Sequence, residues 1–234
     1  NGELLAVSTP VQSIFVNPQK LDKQDIPHLA KALKLPLIDV EKKIAANADR
    51  KFVYLARKLP PHDALEITRL QIPGVGIEEE YERYYPAGEV AAHLVGFTNI
   101  DDHGQEGMEL ALDGWLTGSA GVKEVIKDLK GNVVKELGLK KAAVAGKDVQ
   151  LSIDLRLQYA AHKALKAQVE GRGALSGSVV VLNAKSGEVL AMANQPSFNP
   201  NNRTNVPLNN LRNRAVTDLV EPGSTIKPFT VMAA

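Results

Sequence analysis

The chain has 234 residues, 44% of them apolar but only 5% aromatic, so it can bury one large or two modest cores, mostly aliphatic. Its 28 Lys and Arg against 27 Asp and Glu leave a formal net charge of +1, which excludes a global field for nucleic acid or an anionic membrane. There is no Cys, hence no disulfide, thiolate metal site or Cys nucleophile; the five His form no HExxH, and no window approaches the roughly 20 apolar residues that span a bilayer.

Asn1-Gly2 reads as a turn, followed by extended segments that alternate small and apolar residues. Asp25 is predicted to cap a helix reaching Leu35, with Pro27 tolerated in its first turn. A second helical pattern covers residues 37–48, residues 52–57 are β-like, and Pro60-Pro61 start a helix to about Leu70. Residues 75–85 are extended and charged, and Pro86-Ala87-Gly88 ends them. Residues 89–97 and 106–116 read as short helices around the polar loop NIDDHGQEG. Residues 122–128 and 132–137 flank Leu129-Lys130-Gly131, a hairpin signal, and Trp115 is predicted in packing.

The small-residue, basic stretch KKAAVAGK (140–147) reads as a linker, and the texture changes after it. Residues 149–153 are predicted as a strand. Asp154 caps an amphipathic helix with Leu155, Tyr159, Leu165 and Val169 at helical spacing. Residues 178–182 and 189–193 form a hairpin across NAKSGE, and residues 194–214 are a long loop rich in Asn and Pro. The elements add up to an α+β protein in two parts, 1–146 and 147–234.

The stretch EPGSTIKPF (221–229) holds the only Ser with a Lys three positions on. Proline is tolerated only in the first turn of a helix, so Pro228 requires that helix to begin near Ser224. Ser224 then sits at the positive end of the macrodipole, with Lys227 one turn up on the same face. One reading is a helix-capping Ser beside a solvated Lys. The other is a nucleophile and its base. A free Lys is only ~0.04% neutral at pH 7, so the second reading needs burial or a neighbouring cation to lower its pKa. This is the S-x-x-K logic of penicillin-reactive enzymes.

EPGSTIKP, preceded by LRNRAVTD (211–218), resembles the active-site segment of class B penicillin-binding proteins, most of all their division-specific peptidoglycan D,D-transpeptidases. NGELLAVSTPV is similar to the family's first non-catalytic motif, RYYPAGEVAAHLVGF and GQEGMEL to its second and third, and LSIDLRLQ and SGEVLAMANQPSFNPNN to later segments. The likeness covers nearly the whole chain in order. It implies a non-catalytic pedestal domain over 1–146 and the start of a penicillin-binding/serine β-lactamase-like transpeptidase domain over 147–234, incomplete in this chain.

The resemblance further implies a serine acyl-enzyme mechanism with Ser224 as nucleophile and Lys227 as general base, and no cofactor. The substrate would be the D-Ala-D-Ala stem peptide of peptidoglycan, with β-lactams as inhibitors. Its partners would be a septal membrane glycan polymerase and other division proteins, and its place the periplasm, behind a membrane anchor upstream of Asn1. The set Arg83, Glu89, Glu106 and Glu109 would make structural contacts between the two domains. The family's S-x-N and K-[ST]-G motifs are expected beyond Ala234, so residues 1–234 alone should not acylate at a useful rate.

Ser197-Phe198-Asn199 and Lys185-Ser186-Gly187 spell the same patterns, but they precede Ser224 and read as loop and turn. Arg212 and Arg214 read as salt-bridge residues rather than substrate contacts. Glu221 before Pro-Gly-Ser favours the division type over an elongation-specific transpeptidase. A catalytically silent scaffold is a further alternative. A serine β-lactamase or its sensor relatives would lack the N-terminal half.

Overall fold

The computed structural model describes residues 2–127 and 133–234. Its contacts divide it into two compact units, Ala6–Tyr84 and residues 2–5 together with Tyr85–Ala234. The mixed helix and sheet composition agrees with the α+β class.

In the first unit, β1 (Val7–Val16) is followed by α1 (Ile26–Ala32), α2 (Leu37–Ala45), β2 (Val53–Leu59), α3 (Pro61–Arg69) and β3 (Val75–Tyr84). β1 is the middle strand, antiparallel to both β2 and β3. Its inward residues Ile14 and Val16 are fully buried with Leu29 of α1. Val40 and Ile44 of α2, Val53 and Leu55 of β2, and Ala64 and Ile67 of α3 complete a continuous aliphatic cluster. Pro27 and Pro61 stand in the first turns of α1 and α3, where the missing N–H costs nothing. The cap differs from the expectation. Asp22 accepts from the amide of Gln24 ahead of a short 3-10 turn, and Asp25 makes no side-chain cap. The three strands are also tied by polar groups: the Arg57 fork of β2 and the buried Ser13 Oγ of β1 both donate to Glu80 of β3.

In the second unit, a 3-10 turn (Gly88–Val90) leads to α4 (Ala92–Val95). Then comes a pair of short strands, β4 (Phe97–Thr98) and β5 (Gly104–Glu106), within and beside the stretch NIDDHGQEG, which the sequence reading took as a loop between two helices. α5 (Gly107–Ala111) and α6 (Asp113–Leu116) follow. β6 (Val122–Lys127) and β7 (Val133–Lys141) pair antiparallel as the hairpin signal required; its turn, Leu129-Lys130-Gly131, lies outside the described residues.

The expected linker is not loose. Val144 exchanges backbone hydrogen bonds with Ser119 at 2.8 and 2.9 Å, and the Lys147 amide donates to Trp115 O at 3.0 Å. The approach is so close that a Cβ on Gly146 would lie 1.7 Å from Leu116 O. Trp115 is 51% exposed rather than packed, with the Lys147 ammonium 4.2 Å from its ring centroid.

Residues 149–153 form no strand, although Ser152 Oγ donates to Val189 O and the Asp154 amide to Leu190 O. α7 (Leu155–Arg172) starts at Asp154, whose carboxylate accepts from the amides of Arg156 and Leu157 as predicted. The Arg156 side chain, bonded to that carboxylate, holds its pKa down at about 2. β8 (Gly177–Leu182) and β9 (Val189–Gln195) form the expected hairpin, against which α7 packs. The long loop contains α8 (Leu208–Leu211) and α9 (Arg214–Thr217), and a 3-10 turn (Gly223–Ile226) opens α10 (Lys227–Ala233).

Of the predicted inward positions of α7, Leu165 is buried and Leu155 and Val169 are half-buried, but one is not where the spacing put it. Tyr159 is 55% exposed, while Gln158 and His162 are buried beside Leu165. Gln158 is tolerated inside because all its polar groups are used. Its Nε2 donates to Val90 O at 2.7 Å and Met192 O at 2.8 Å, and its Oε1 accepts from the Met192 amide at 2.7 Å.

Candidate active site

Ser224 lies on the 3-10 turn and Lys227 is the first residue of α10, so the turn and helix meet within the S-x-x-K spacing. The Lys227 amide donates to Ser224 O, and Pro228 falls in the first turn of α10, where no partner for its nitrogen is needed. Gly223 has φ +56, a left-handed conformation that explains the Gly immediately before the Ser. Thr225 Oγ1 donates back to Pro222 O and closes the turn. Both Ser224 and Lys227 are exposed, as are all residues 219–234.

The chain leading to this turn is held firmly. Arg212 and Arg214 both pair with Asp218, at 2.7 and 3.0 Å, and Arg212 also donates to Thr217 O at 3.1 Å. These are local salt bridges, as the sequence suggested for the two arginines. Asn194 of β9 accepts from the Ala215 amide at 2.8 Å and donates to Asn213. His93 Nε2 lies 2.7 Å from Asn210 O, so this nitrogen carries the proton. Burial pushes the His93 pKa below its ordinary value, more than the bond to Asn210 raises it.

The two look-alike motifs are engaged in structure. Gly187, at φ +77, closes the β8–β9 turn with its amide on Asn183 O, and Ser186 Oγ donates to Glu188. Ser197 Oγ donates to Glu89 O at 2.8 Å, Phe198 is buried edge-on against His93 and Phe97, and Asn199 Oδ1 accepts from the Asn201 amide.

Of the polar set named from the sequence, Glu89 meets Lys166 at 3.3 Å and lies 3.8 Å from His162 Nε2, and Glu109 is buried. Arg83 donates to Ser8 Oγ within the first unit. The residues the sequence reading passed over are Gln158, His162, His93, Asn194 and Asn213. The density of Asn in residues 194–213 was the one visible sign of Asn194 and Asn213, since side-chain amides substitute for backbone partners in irregular chain. Among the described residues, no group of three or more His, Asp or Glu could hold a metal ion, and no helix is long and apolar enough to cross a membrane.

Residues 1–151 match the penicillin-binding protein dimerisation domain, and residues 177–234 match the penicillin-binding protein transpeptidase domain. The chain belongs to the penicillin-binding proteins. This penicillin-binding protein is 48% identical to the probable peptidoglycan D,D-transpeptidase PbpC of Pseudomonas aeruginosa, over 100% of its own length and 42% of that protein. It is 45% identical to peptidoglycan D,D-transpeptidase FtsI of Escherichia coli K12 and 41% identical to the probable peptidoglycan D,D-transpeptidase PenA of Neisseria gonorrhoeae, over 100% of this chain and 41% of each relative. The chain thus spans about two fifths of the length of the curated relatives it matches. Penicillin Binding Protein 2X from Streptococcus thermophilus shares the fold, with a TM-score of 0.59 at 22% identity, over 93% of this penicillin-binding protein and 35% of that chain.

Proposed function

We propose that this chain carries the nucleophile of a peptidoglycan D,D-transpeptidase that cross-links septal stem peptides. The observation that carries the reading is the position of Ser224 and Lys227, one helical turn apart where the 3-10 turn enters α10, inside the residues that match a transpeptidase domain. The names of the relatives in three bacteria support the reaction, and FtsI, 45% identical, supports the septal assignment. Residues 1–146 serve as the non-catalytic pedestal and residues 147–234 open the catalytic domain.

In this reaction Ser224 Oγ attacks the carbonyl of the penultimate D-Ala, and Lys227 Nζ, exposed in this structure, takes the hydroxyl proton once the remainder of the full-length protein and the bound substrate cover it. The bond to the terminal D-Ala nitrogen breaks, and that amine leaves with a proton. An amine of a neighbouring stem then attacks the ester, forms the cross-link and frees Ser224. A β-lactam ring opens on the same hydroxyl and stops at the acyl stage. The protein works in the periplasm with a membrane glycan polymerase and other division proteins.

The test is labelling of the full-length protein by a fluorescent penicillin, with peptide mapping of the adduct. Ser224→Ala should abolish labelling. Lys227→Arg, which keeps the charge but stays protonated, should slow it by roughly 10²–10⁴. An adduct on Ser186 or Ser197, or no adduct at all, would overturn the reading; the second result would leave a silent scaffold.

A further inference from the structure

Two buried side-chain amides tie the β8–β9 hairpin to the segment that leads into Ser224. Asn194, near the end of β9, is 1% exposed. Its Oδ1 accepts from Ser178 Oγ of β8 at 2.7 Å and from the Ala215 amide of α9 at 2.8 Å. Its Nδ2 donates to Asn213 Oδ1 at 2.8 Å. Asn213 in turn donates from Nδ2 to His93 O of α4 at 3.3 Å. Three parts of the unit therefore meet through these two side chains: the hairpin, α4 and the start of α9.

The pattern is directional. An Asn side chain has one oxygen with two lone pairs and two N–H groups, and Asn194 uses both lone pairs and one N–H. An apolar contact at this place would let α9 slide along the hairpin. The amide pair fits one register only, because any shift leaves buried donors and acceptors unpaired. Beyond α9, Asp218 is caught by Arg212 and Arg214, and residues 219–234 are exposed. Among the described residues, the Ala215–Asn194 bond is the last hydrogen bond to the hairpin before Ser224.

We propose that Asn194 and Asn213 are positioning residues for the acylation of Ser224. They touch neither substrate nor the reacting atoms. They set the point and direction from which residues 219–223 leave the folded body, and so where the Ser224 hydroxyl stands against a bound carbonyl. The inference rests on the reading of Ser224 as nucleophile. Misplacement of a reacting group by about 1 Å can cost around 10² in rate without weakening binding.

The experiment compares Asn194→Asp, Asn213→Asp and Ser178→Ala in the full-length protein. Acylation by a fluorescent penicillin is followed over a range of concentrations, so that the acylation rate constant and the preceding binding constant separate. Thermal unfolding is recorded for each variant. Asn194→Asp keeps size and both acceptor contacts but cannot donate to Asn213. Asn213→Asp keeps its acceptor and loses the bond to His93. Both should lower the acylation rate constant by ~10- to 10²-fold with binding within about twofold of the parent. Ser178→Ala removes one bond to the same oxygen while leaving the tie to α9, so it should lose stability but keep its rate within about twofold. If Asn194→Asp acylates like the parent, or if the three rates simply follow the three melting temperatures, the positioning role is wrong and the Ser224 assignment stands. If the parent itself takes no label on Ser224, both fall.

Discussion

Residues 6–84 and residues 85–234 are held together by different chemistry. The first unit is organised around aliphatic side chains, with Ile14, Val16, Leu29 and Val40 essentially inaccessible in one continuous cluster. The second unit also buries small and aromatic groups, among them Ala191, Ala193, Phe97 and Phe198. What fastens its elements to one another, however, is polar: Gln158, His162, His93, Asn194 and Gln195 are all buried. Apolar burial is non-directional and scales with area, so it tolerates a change of shape that conserves volume. A buried amide is stabilising only while every group on it is paired, so it fixes one register and tolerates almost no change.

Placing the same side chain in both cores gives the largest contrast. Leu29→Met conserves volume and should cost under about 1.5 kcal/mol. Gln158→Met is close in size but removes the partner of Val90 O, Met192 O and the Met192 amide, and should cost about 3 kcal/mol or more. Denaturant unfolding of the two variants checks this. A smaller loss for Gln158→Met than for Leu29→Met would show that the second unit does not depend on its buried amide bonds.

Gly146→Ala probes whether the stretch read as a linker behaves as part of the second unit. In a loose linker the change would be neutral or stabilising by ~0.4–1 kcal/mol. Against Leu116 O the new Cβ has no room, so a loss of roughly 1–3 kcal/mol is expected. Faster amide exchange at Ser119, Val144 and Lys147 should accompany it, since these amides pair across the contact.

The gentlest effect is pH dependence, and its window differs between the units. Burial, first of all, lowers the pKa of His93 and His162 below the ordinary 6.5, with Glu89 opposing the shift at His162 and Lys166 adding to it. The unfolded chain therefore takes up protons first as pH falls below 6.5, and the second unit loses stability from there downward. In the first unit, His28 and His62 are exposed. Its Glu80 is held below the ordinary 4.5 by Arg57, so that contribution is present above pH 4.5 and lost only as pH falls through the lowered value. Amide exchange in the two units between about pH 7 and about pH 5 should show the second weakening alone. Replacing both buried histidines by Gln should flatten the response. Equal weakening of both units over that range would show that the histidines do not set it.

Much of this protein was determined by the sequence alone. Alternation and helical spacing of aliphatic residues located the elements of the first unit to within a few positions. The turn chemistry of NAKSGE located the β8–β9 hairpin, and Pro228 alone required a helix to start beside Ser224. Local rules suffice there because the causes are local: a proline without an N–H, a glycine at φ +77, a carboxylate one residue before a helix. Tertiary contacts alone settled that Gln158 and His162, rather than Tyr159, fill the buried face of α7 between Leu155, Leu165 and Val169, that KKAAVAGK is paired rather than loose, that β4 meets β5, and that Trp115 is half exposed under a lysine. Hydrophobic periodicity pointed to Tyr159, whereas the buried residue is its neighbour Gln158, whose partners Val90 and Met192 lie 68 and 34 positions away. A polar side chain is worth burying only where such partners already wait, and no pattern within one helix can report groups brought to it from elsewhere in the chain.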